Sequence, residues 1–595
     1  MIKSVFWRVF ILSFVLSFIL FGNSIFGDFV FDDVAVVQNR ADLKDSGNFF
    51  NLFISSYHQH MPKTGLYRPL TMATYAINHV VFSSSPVSFH IFNIIIHALN
   101  SFLVFWLVDY FLRSKKMALI SFGLFIAHPL HTEAVTSIVG RAELLAFFWS
   151  LMTIFYFSRN NKVMAAISFL LAMMSKEVAL AVLPIIFYMN GAFLNKGFRK
   201  TIKESVIFIF PIAIYAVLRF LALGKYFINN AQTTLIENQL KFSSFPERIF
   251  TALKVLSLYL WKLIWPVHLS ADYSYNSISI VSNIFLSPAA LLGALAILSL
   301  VFIIAWKKTR RRGLALSAAM FLVPYLVISN LLFPIGTIMG ERLIYSSSLG
   351  FVLAVAIGLN SMISRKNLVF KNTGYLLLIF LMGFYGVLTH LRNKDWGDSK
   401  TLFYATAKES PNSLITRVGL AALHIRANKW EEAKEELTVA QKIYEDDSRL
   451  QNLLGVVADH EGNFKLAEEK YKRSIALNPD AINSHINLAE LYLKHNQFKE
   501  AGDNFLKVIE FHPLIEHVVR FGYIQITLGN PDGALDVLEK HMGREADHSD
   551  LAAMAGTAYF VKKDYQQALA YLKKARELGH KASEIEEMIK IAETR

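Results

Sequence analysis

Apolar residues fall in long blocks through the first two thirds of the chain and at helical spacing in the last third. Residues 5–26 form the first block. Others follow at 89–112, 117–128, 138–157, 163–174, 179–189, 206–223, 285–306, 314–333, 343–363 and 375–390. A membrane helix needs ~20 mostly apolar residues, so these blocks predict eleven crossings. The fifth and sixth are short and read either as two crossings or as one broken hairpin around Ser175-Lys176-Glu177. Basic residues test this count, because cytoplasmic loops are enriched in Lys and Arg. Lys3 with Arg8, 113–116, 159–162, 196–200, 307–312 and Arg365-Lys366 all fall on one side when the N-terminus is inside. The segment 249–265 would break this parity if it crossed. It holds Lys254, Lys262 and a run of aromatics, so it reads as an interfacial or re-entrant helix. The same parity puts 28–88, 129–137, 175–178, 224–248, 266–283, 334–342 and everything after Arg392 on the outer side.

The polar last third repeats. Trp430-Glu431-Glu432-Ala433, Phe464-Lys465-Leu466-Ala467 and Phe498-Lys499-Glu500-Ala501 recur every 34 residues, with Pro479 and Pro513 at the same spacing. After a slip of one residue, Gly533-Ala534 and Tyr565-Gln566-Gln567-Ala568 continue the series. A 34-residue period with small residues where helices pack is the tetratricopeptide signature, two helices per unit stacked into a superhelix. About five units are expected, preceded by a degenerate cap at 402–412. The predicted fold class is all-α: a polytopic membrane domain at 1–391 and a repeat solenoid at 392–595.

Composition fits this division. The 595 residues are 54% hydrophobic, with a mean hydropathy of +0.38. The formal charge of +14 is no sign of nucleic-acid binding, since much of it lies in short loops between apolar blocks. Without cysteine, disulfides and thiolate chemistry are excluded. Residues 1–26 lack a small-x-small cleavage site and read as an uncleaved first helix.

Polar residues at the outer face are the candidate chemistry, since ionisable groups at a membrane mouth are costly without a task. Asp28, Asp32 and Asp33 follow the first block. Arg68, in Tyr67-Arg68-Pro69, precedes an amphipathic stretch at 70–82 and suits either a phosphate or a lipid headgroup. His128, His131 and Glu133 interrupt the third block. They offer hydrogen bonds to a sugar or phosphate, or imidazole and carboxylate ligands for a divalent ion. Arg141 and Glu143 lie just inside the next block and need each other or a ligand. Lys176 and Glu177 form another charged break. Glu341 and Arg342 open the block at 343–363, and Asp272 lies in the aromatic loop 265–273. An arginine fork matches a pair of phosphate oxygens.

In combination these motifs resemble the transmembrane, tetratricopeptide-containing protein O-mannosyltransferases. The resemblance rests on Phe29-Val30-Phe31-Asp32-Asp33, Tyr67-Arg68-Pro69, 89–100, 128–135, Gly140-Arg141-Ala142-Glu143, Ser175-Lys176-Glu177, 266–272, 341–350, and Trp396 leading into repeats. It implies a GT-C glycosyltransferase that takes a sugar from a polyprenyl phosphate on the extracytoplasmic side and passes it, with inversion, to Ser or Thr of a protein held by the repeat groove. It implies Asp33 or Asp32 as general base, with Asp33 slightly preferred. Arg342 is the first choice for the donor phosphate, followed by Lys176, Arg68 and Arg141. His128, His131, Glu133, Glu143, Glu177, Glu341 and Asp272 are expected to bind substrate. No cofactor is firmly implied. The cysteine-free, short-array chain looks like a bacterial relative, in the inner membrane with periplasmic repeats; a eukaryotic chain would lie in the ER membrane with lumenal repeats. Three other readings stay open: a GT-C enzyme acting on lipid or polysaccharide, a lipid-sugar flippase, and a non-enzymatic scaffold.

Overall fold

Each apolar block becomes helix, because a backbone in hydrocarbon must satisfy its own hydrogen bonds. The computed structural model describes residues 2–58, 64–194, 197–227, 233–306, 312–511, 513–542 and 548–595. Lys196 and the basic run 307–311, expected in cytoplasmic loops, lie outside the described residues. The described residues are helical without a strand, and the chain divides into two compact units, 1–416 and 417–595.

The first unit opens with α1 (Ile2–Phe21) and, after an irregular loop, α2 (Pro69–Phe82) and α3 (Pro86–Leu112). Next come α4 (Lys115–Ala127), the short α5 (Thr132–Thr136), α6 (Arg141–Ser158), α7 (Lys162–Ser175), α8 (Val182–Ala192), α9 (Phe198–Ser205) and α10 (Ile209–Leu223). The unit continues with α11 (Phe245–Ile264), α12 (Pro288–Ala305), α13 (Arg312–Ile328), α14 (Tyr345–Ile363), α15 (Leu368–Asp395) and α16 (Ser399–Glu409). Seven helical stretches are long and apolar enough to cross a membrane. An eighth candidate is the pair Lys115–Ala127 and Pro129–Thr136, bent by 53° at His128-Pro129. Three shorter apolar helices, Lys162–Ser175, Glu177–Ala192 and Gly313–Ile328, cover the remaining blocks.

Burial separates a lipid face from a core. Trp7, Ile11, Val15 and Ile19 point outward from α1 at four-residue steps, while Ser13 and Ser17 are enclosed. In contrast α3 is buried along most of its length, and Asn93, His97 and Asn100 form a polar row inside it. Asn93 donates to the carbonyls of Val135 and Ser137, and Asn100 to that of Leu144 and to the Tyr345 hydroxyl. Gly350 lets α13 and α14 touch, since a Cβ there would lie 2.3 Å from the Phe321 nitrogen. The segment read as interfacial is α11. It begins with a Ser244–Glu247 capping box, and Tyr259 holds it to both backbone groups of Gly340.

Helix pairs build the second unit and the approach to it: α17 (Leu414–Arg426) with α18 (Trp430–Ile443), α19 (Ser448–His460) with α20 (Phe464–Leu477), and α21 (Ile482–Lys494) with α22 (Phe498–Phe511). Then follow α23 (Ile515–Thr527) with α24 (Pro531–Met542), α25 (Ser549–Val561) with α26 (Tyr565–Glu577), and a last helix, α27 (Ser583–Thr594). The alanines picked out by the period, Ala433, Ala467, Ala501, Ala534 and Ala568, are all fully buried. The turn inside each pair has one left-handed residue: Asn428, Gly462, Asn496, Gly529 and Lys563. Lysine is the odd member, because a Cβ strains this conformation and Asn tolerates it by local hydrogen bonding. Lys563→Asn is expected to stabilise the last pair by about 0.5–1 kcal/mol. Thermal unfolding of the full chain followed by helical signal checks this; an unchanged or lower midpoint contradicts it.

Candidate functional site

The acidic loop is fastened before it reaches the site. The Asp28 N–H donates to the Gly397 carbonyl at 2.9 Å, and the His90 ring bonds the Gly27 carbonyl at 3.2 Å. Val30 is buried with Trp396 and Leu402, and Phe31 packs edge-on against Phe403. Phe31 sits at φ +53°, a conformation disfavoured for a bulky residue and held by this packing. Asp28 itself is exposed.

The two adjacent acids have opposite surroundings. Asp33 is fully enclosed. Its carboxylate accepts backbone N–H bonds from Val139 at 2.8 Å, Ile138 at 3.2 Å and Val30 at 3.3 Å, and a longer one from the Ser137 hydroxyl. It thereby ties the loop to the turn Ile138–Gly140. That turn requires glycine at 140, where a Cβ would lie 2.3 Å from the Ala134 carbonyl oxygen. Asp32 is 44% exposed and reaches Nη2 of Arg342 at 3.2 Å.

Burial pushes the Asp33 carboxyl up to about 7, with the N–H groups of Val139, Ile138 and Val30 pulling it back. Because this is above the unfolded value of 3.8, between the two values the folded chain holds a proton that the unfolded chain releases. Stability from this group therefore falls as pH rises from about 4 to about 7 and is level above that. Asp33→Asn is expected to lose this slope. It is also expected to lower the midpoint at every pH, since an amide oxygen replaces two oxygens facing several N–H donors. Thermal unfolding in detergent across pH 4–8 checks this, and parallel curves for the two proteins contradict it.

Arg342 lies at the start of α14's approach turn and is 28% exposed. Its Nε faces Glu133 at 3.5 Å, and its backbone N–H donates to the other Glu133 oxygen at 2.8 Å. Around it lie further ion pairs. Lys176 pairs with Glu143. Arg68 meets Glu177 at 3.5 Å, and Arg219 meets the same carboxylate at 3.7 Å. The Arg68 guanidinium also lies 5.0 Å from the centre of the Tyr57 ring. Tyr57 is pinned by Arg40, which donates to its carbonyl at 2.6 Å while gripping Asp42 with two nitrogens. Burial raises the Tyr57 phenol, with Arg68 opposing, Asp32 adding and Arg342 opposing. The ring thus sits in the fields of all three. Burial holds His58 below its usual value, and Asp32 partly restores it.

Other sequence-selected residues are engaged elsewhere. Arg141 is fully buried, donating to Asn93, Asn78 and the carbonyls of Thr74 and Phe89, with its plane against Tyr75 and Phe92. It does not pair with Glu143, because residues two apart on a helix point to different sides. His128 bonds the Leu263 carbonyl and accepts from the Leu130 N–H, and His131 bonds the Ser348 hydroxyl. Both are fully enclosed. Among the described residues, no group of three or more His, Asp or Glu is placed to hold a metal ion. Asp272 accepts from the hydroxyls of Ser274, in its own loop, and Ser413, just before Leu414. Glu341 accepts from the Ser270 N–H at 2.6 Å and the Tyr273 hydroxyl at 2.5 Å, and faces Arg392 at 3.7 Å.

Tyr57, Arg219 and Arg392 were missed in the sequence. Arg219 is the residue with a usable signal: it is the one charge inside the apolar block 206–223, and an intramembrane cation asks for a partner. Taken together, the site gathers a solvent-reachable carboxylate beside a solvent-reachable guanidinium, flanked by paired cations from several helices. Such a mouth can accept a proton and stabilise an anion in one place.

Residues 390–456 match the tetratricopeptide repeat family. Over 535 residues the chain is 27% identical to protein O-mannosyl-transferase TMTC3 of Homo sapiens, covering 83% of this chain and 54% of that protein. With protein O-mannosyl-transferase Tmtc3 of Drosophila melanogaster it shares 24% identity over 591 residues, covering 83% of this chain and 63% of the relative. The chain thus spans little more than half the length of these curated relatives. Among solved structures, YrrB, described as a TPR protein with an unusual peptide-binding site, aligns with 32% of this chain and 98% of its own at 20% identity, with a TM-score of 0.28. The resemblance read from the motifs is therefore met along most of the chain: it is similar to the protein O-mannosyl-transferases and carries tetratricopeptide repeats behind a set of membrane-length apolar helices.

Proposed function

We propose that this chain is a membrane glycosyltransferase of GT-C type. It moves a sugar, mannose by its relatives' names, from a polyprenyl-phosphate donor to Ser or Thr hydroxyls of a protein. The main support is the Asp32–Arg342 pair at 3.2 Å, an acid and a cation exposed at one opening. Asp32 is the base in this reading, because of the two adjacent acids it is the one open to solvent and, among the described residues, bonded to no backbone N–H. Asp33 positions the loop that carries it. Asp32 takes the acceptor's hydroxyl proton as the oxygen bonds to the anomeric carbon from the face opposite the phosphate. The anomeric C–O bond to phosphate breaks, its electron pair stays on the phosphate, and the configuration inverts. Arg342 meets the charge that develops there. Arg68 and Lys176 add positive field, and Glu177 and Glu143 hold those cations in place. Arg141, His128, His131, Glu341 and Asp272 support the frame. The acceptor is recruited by the repeats, and the site opens on the extracytoplasmic side, of a bacterial inner membrane or an ER membrane.

Mass spectrometry of extracytoplasmic proteins and glycolipids from cells with and without the chain tests this. Hexose on Ser or Thr peptides that disappears with the chain is expected. Loss confined to glycolipid overturns the protein acceptor, and no loss in either fraction overturns the transferase reading.

A further inference from the structure

Arg342 is shared between two carboxylates that hold it differently. Glu133 engages it with both oxygens, one on the backbone N–H at 2.8 Å and one facing Nε at 3.5 Å. Glu133 is 4% exposed, in α5 between the bend at His128-Pro129 and the turn that Asp33 fixes. The neighbouring Glu341 is itself held by Ser270 and Tyr273. The root of Arg342 is therefore rigidly set. Asp32 touches only the outer nitrogen, Nη2, and is the more exposed partner. An exposed ion pair of this kind is weak, and a phosphate with several oxygens can take both outer guanidinium nitrogens in its place.

We propose that Glu133 is the positioning residue for the phosphate-binding guanidinium, and that Asp32 is Arg342's resting partner, displaced when a donor phosphate arrives. This rests on the reading of Asp32 as base and Arg342 as phosphate clamp. While the pair is closed, Oδ2 of Asp32 is engaged by Arg342 and the outer guanidinium position a phosphate oxygen would take is occupied by a carboxylate. Arrival of the phosphate frees Asp32 for the acceptor hydroxyl, so the donor binds before the acceptor is activated.

Binding of a polyprenyl monophosphate to the full chain in detergent, measured calorimetrically at pH 7, tests this in five proteins. Asp32→Asn is expected to bind about three- to tenfold tighter than the unaltered chain. Arg342→Gln is expected to bind at least about tenfold weaker, and the double variant no tighter than Arg342→Gln. Glu133→Gln keeps an oxygen for the Arg342 N–H but loses the charge, and is expected to weaken binding several-fold. If Asp32→Asn gains as much in the Arg342→Gln background, Asp32 acts through its charge alone and the exchange is overturned. Unchanged or weaker binding by Asp32→Asn overturns it as well, and full affinity in Glu133→Gln overturns the positioning role. Full affinity in Arg342→Gln is a different failure, since it removes the phosphate clamp on which the proposed function rests.

Discussion

Asp32→Asn is expected to lower the proposed sugar transfer by about 10²–10⁴-fold, the usual cost of losing a positioned general base. The substitution is nearly isosteric at a half-exposed position, so folding should be spared, with stability within about 0.5 kcal/mol of the unaltered chain, as for most surface changes. The amide cannot take the hydroxyl proton, and it no longer neutralises Arg342. Turnover and donor affinity therefore move in opposite directions, turnover down and phosphate binding up. A variant that lost turnover because the site had collapsed would lose both. Asp33→Asn is expected to behave differently, with the midpoint falling and transfer per folded molecule falling less than in Asp32→Asn. The two neighbours are thus separable by measuring stability and turnover together.

Arg141→Met is expected to destabilise the membrane unit by about 2–6 kcal/mol, roughly 1–3 for each of the two buried amide oxygens it leaves without a donor. The guanidinium reaches Asn93 at 2.9 Å, Asn78 at 2.5 Å, and the carbonyls of Phe89 at 3.0 Å and Thr74 at 3.2 Å. The two carbonyls keep their own helix partners, but removing it leaves the Asn93 and Asn78 oxygens without a donor in a site closed to water, where each unmet group costs about 1–3 kcal/mol. Arg141→Lys is expected to recover only part, because one ammonium cannot span four acceptors that a planar fork reaches. Thermal unfolding in detergent checks the loss. Arg141 was also a candidate for the donor phosphate from its sequence context. That role predicts the reverse pattern, weakened phosphate binding at an unchanged midpoint, and such a result would contradict a framework role for Arg141.

The apolar blocks made the membrane unit legible because hydrocarbon leaves the backbone few options. Every block became helix, and the doubtful fifth and sixth are the short Lys162–Ser175 and Glu177–Ala192. The 34-residue period was legible for a similar reason: each unit repeats the same close approach at alanine and the same left-handed turn. Side-chain partnerships were less so. The acidic loop stood out, yet nothing in its spacing distinguishes Asp32 from Asp33. That difference is made by the backbone of Ile138 and Val139, about a hundred residues away, folding over one of them. Glu143 reads as a neighbour of Arg141 along the chain, but helix geometry turns it toward Lys176. Arg219 stood as a lone charge inside an apolar block, and Arg392 two residues past the end of another.

The most direct test is transfer itself. The purified full chain, in lipid, is given a polyprenyl phosphate carrying radiolabelled mannose together with a Ser- and Thr-containing acceptor protein, and peptide-bound label is counted. The account predicts label on the protein with the unaltered chain, and at least about a hundredfold less with Asp32→Asn. Equal labelling by the two proteins, or label with neither while the lipid is bound, would contradict it.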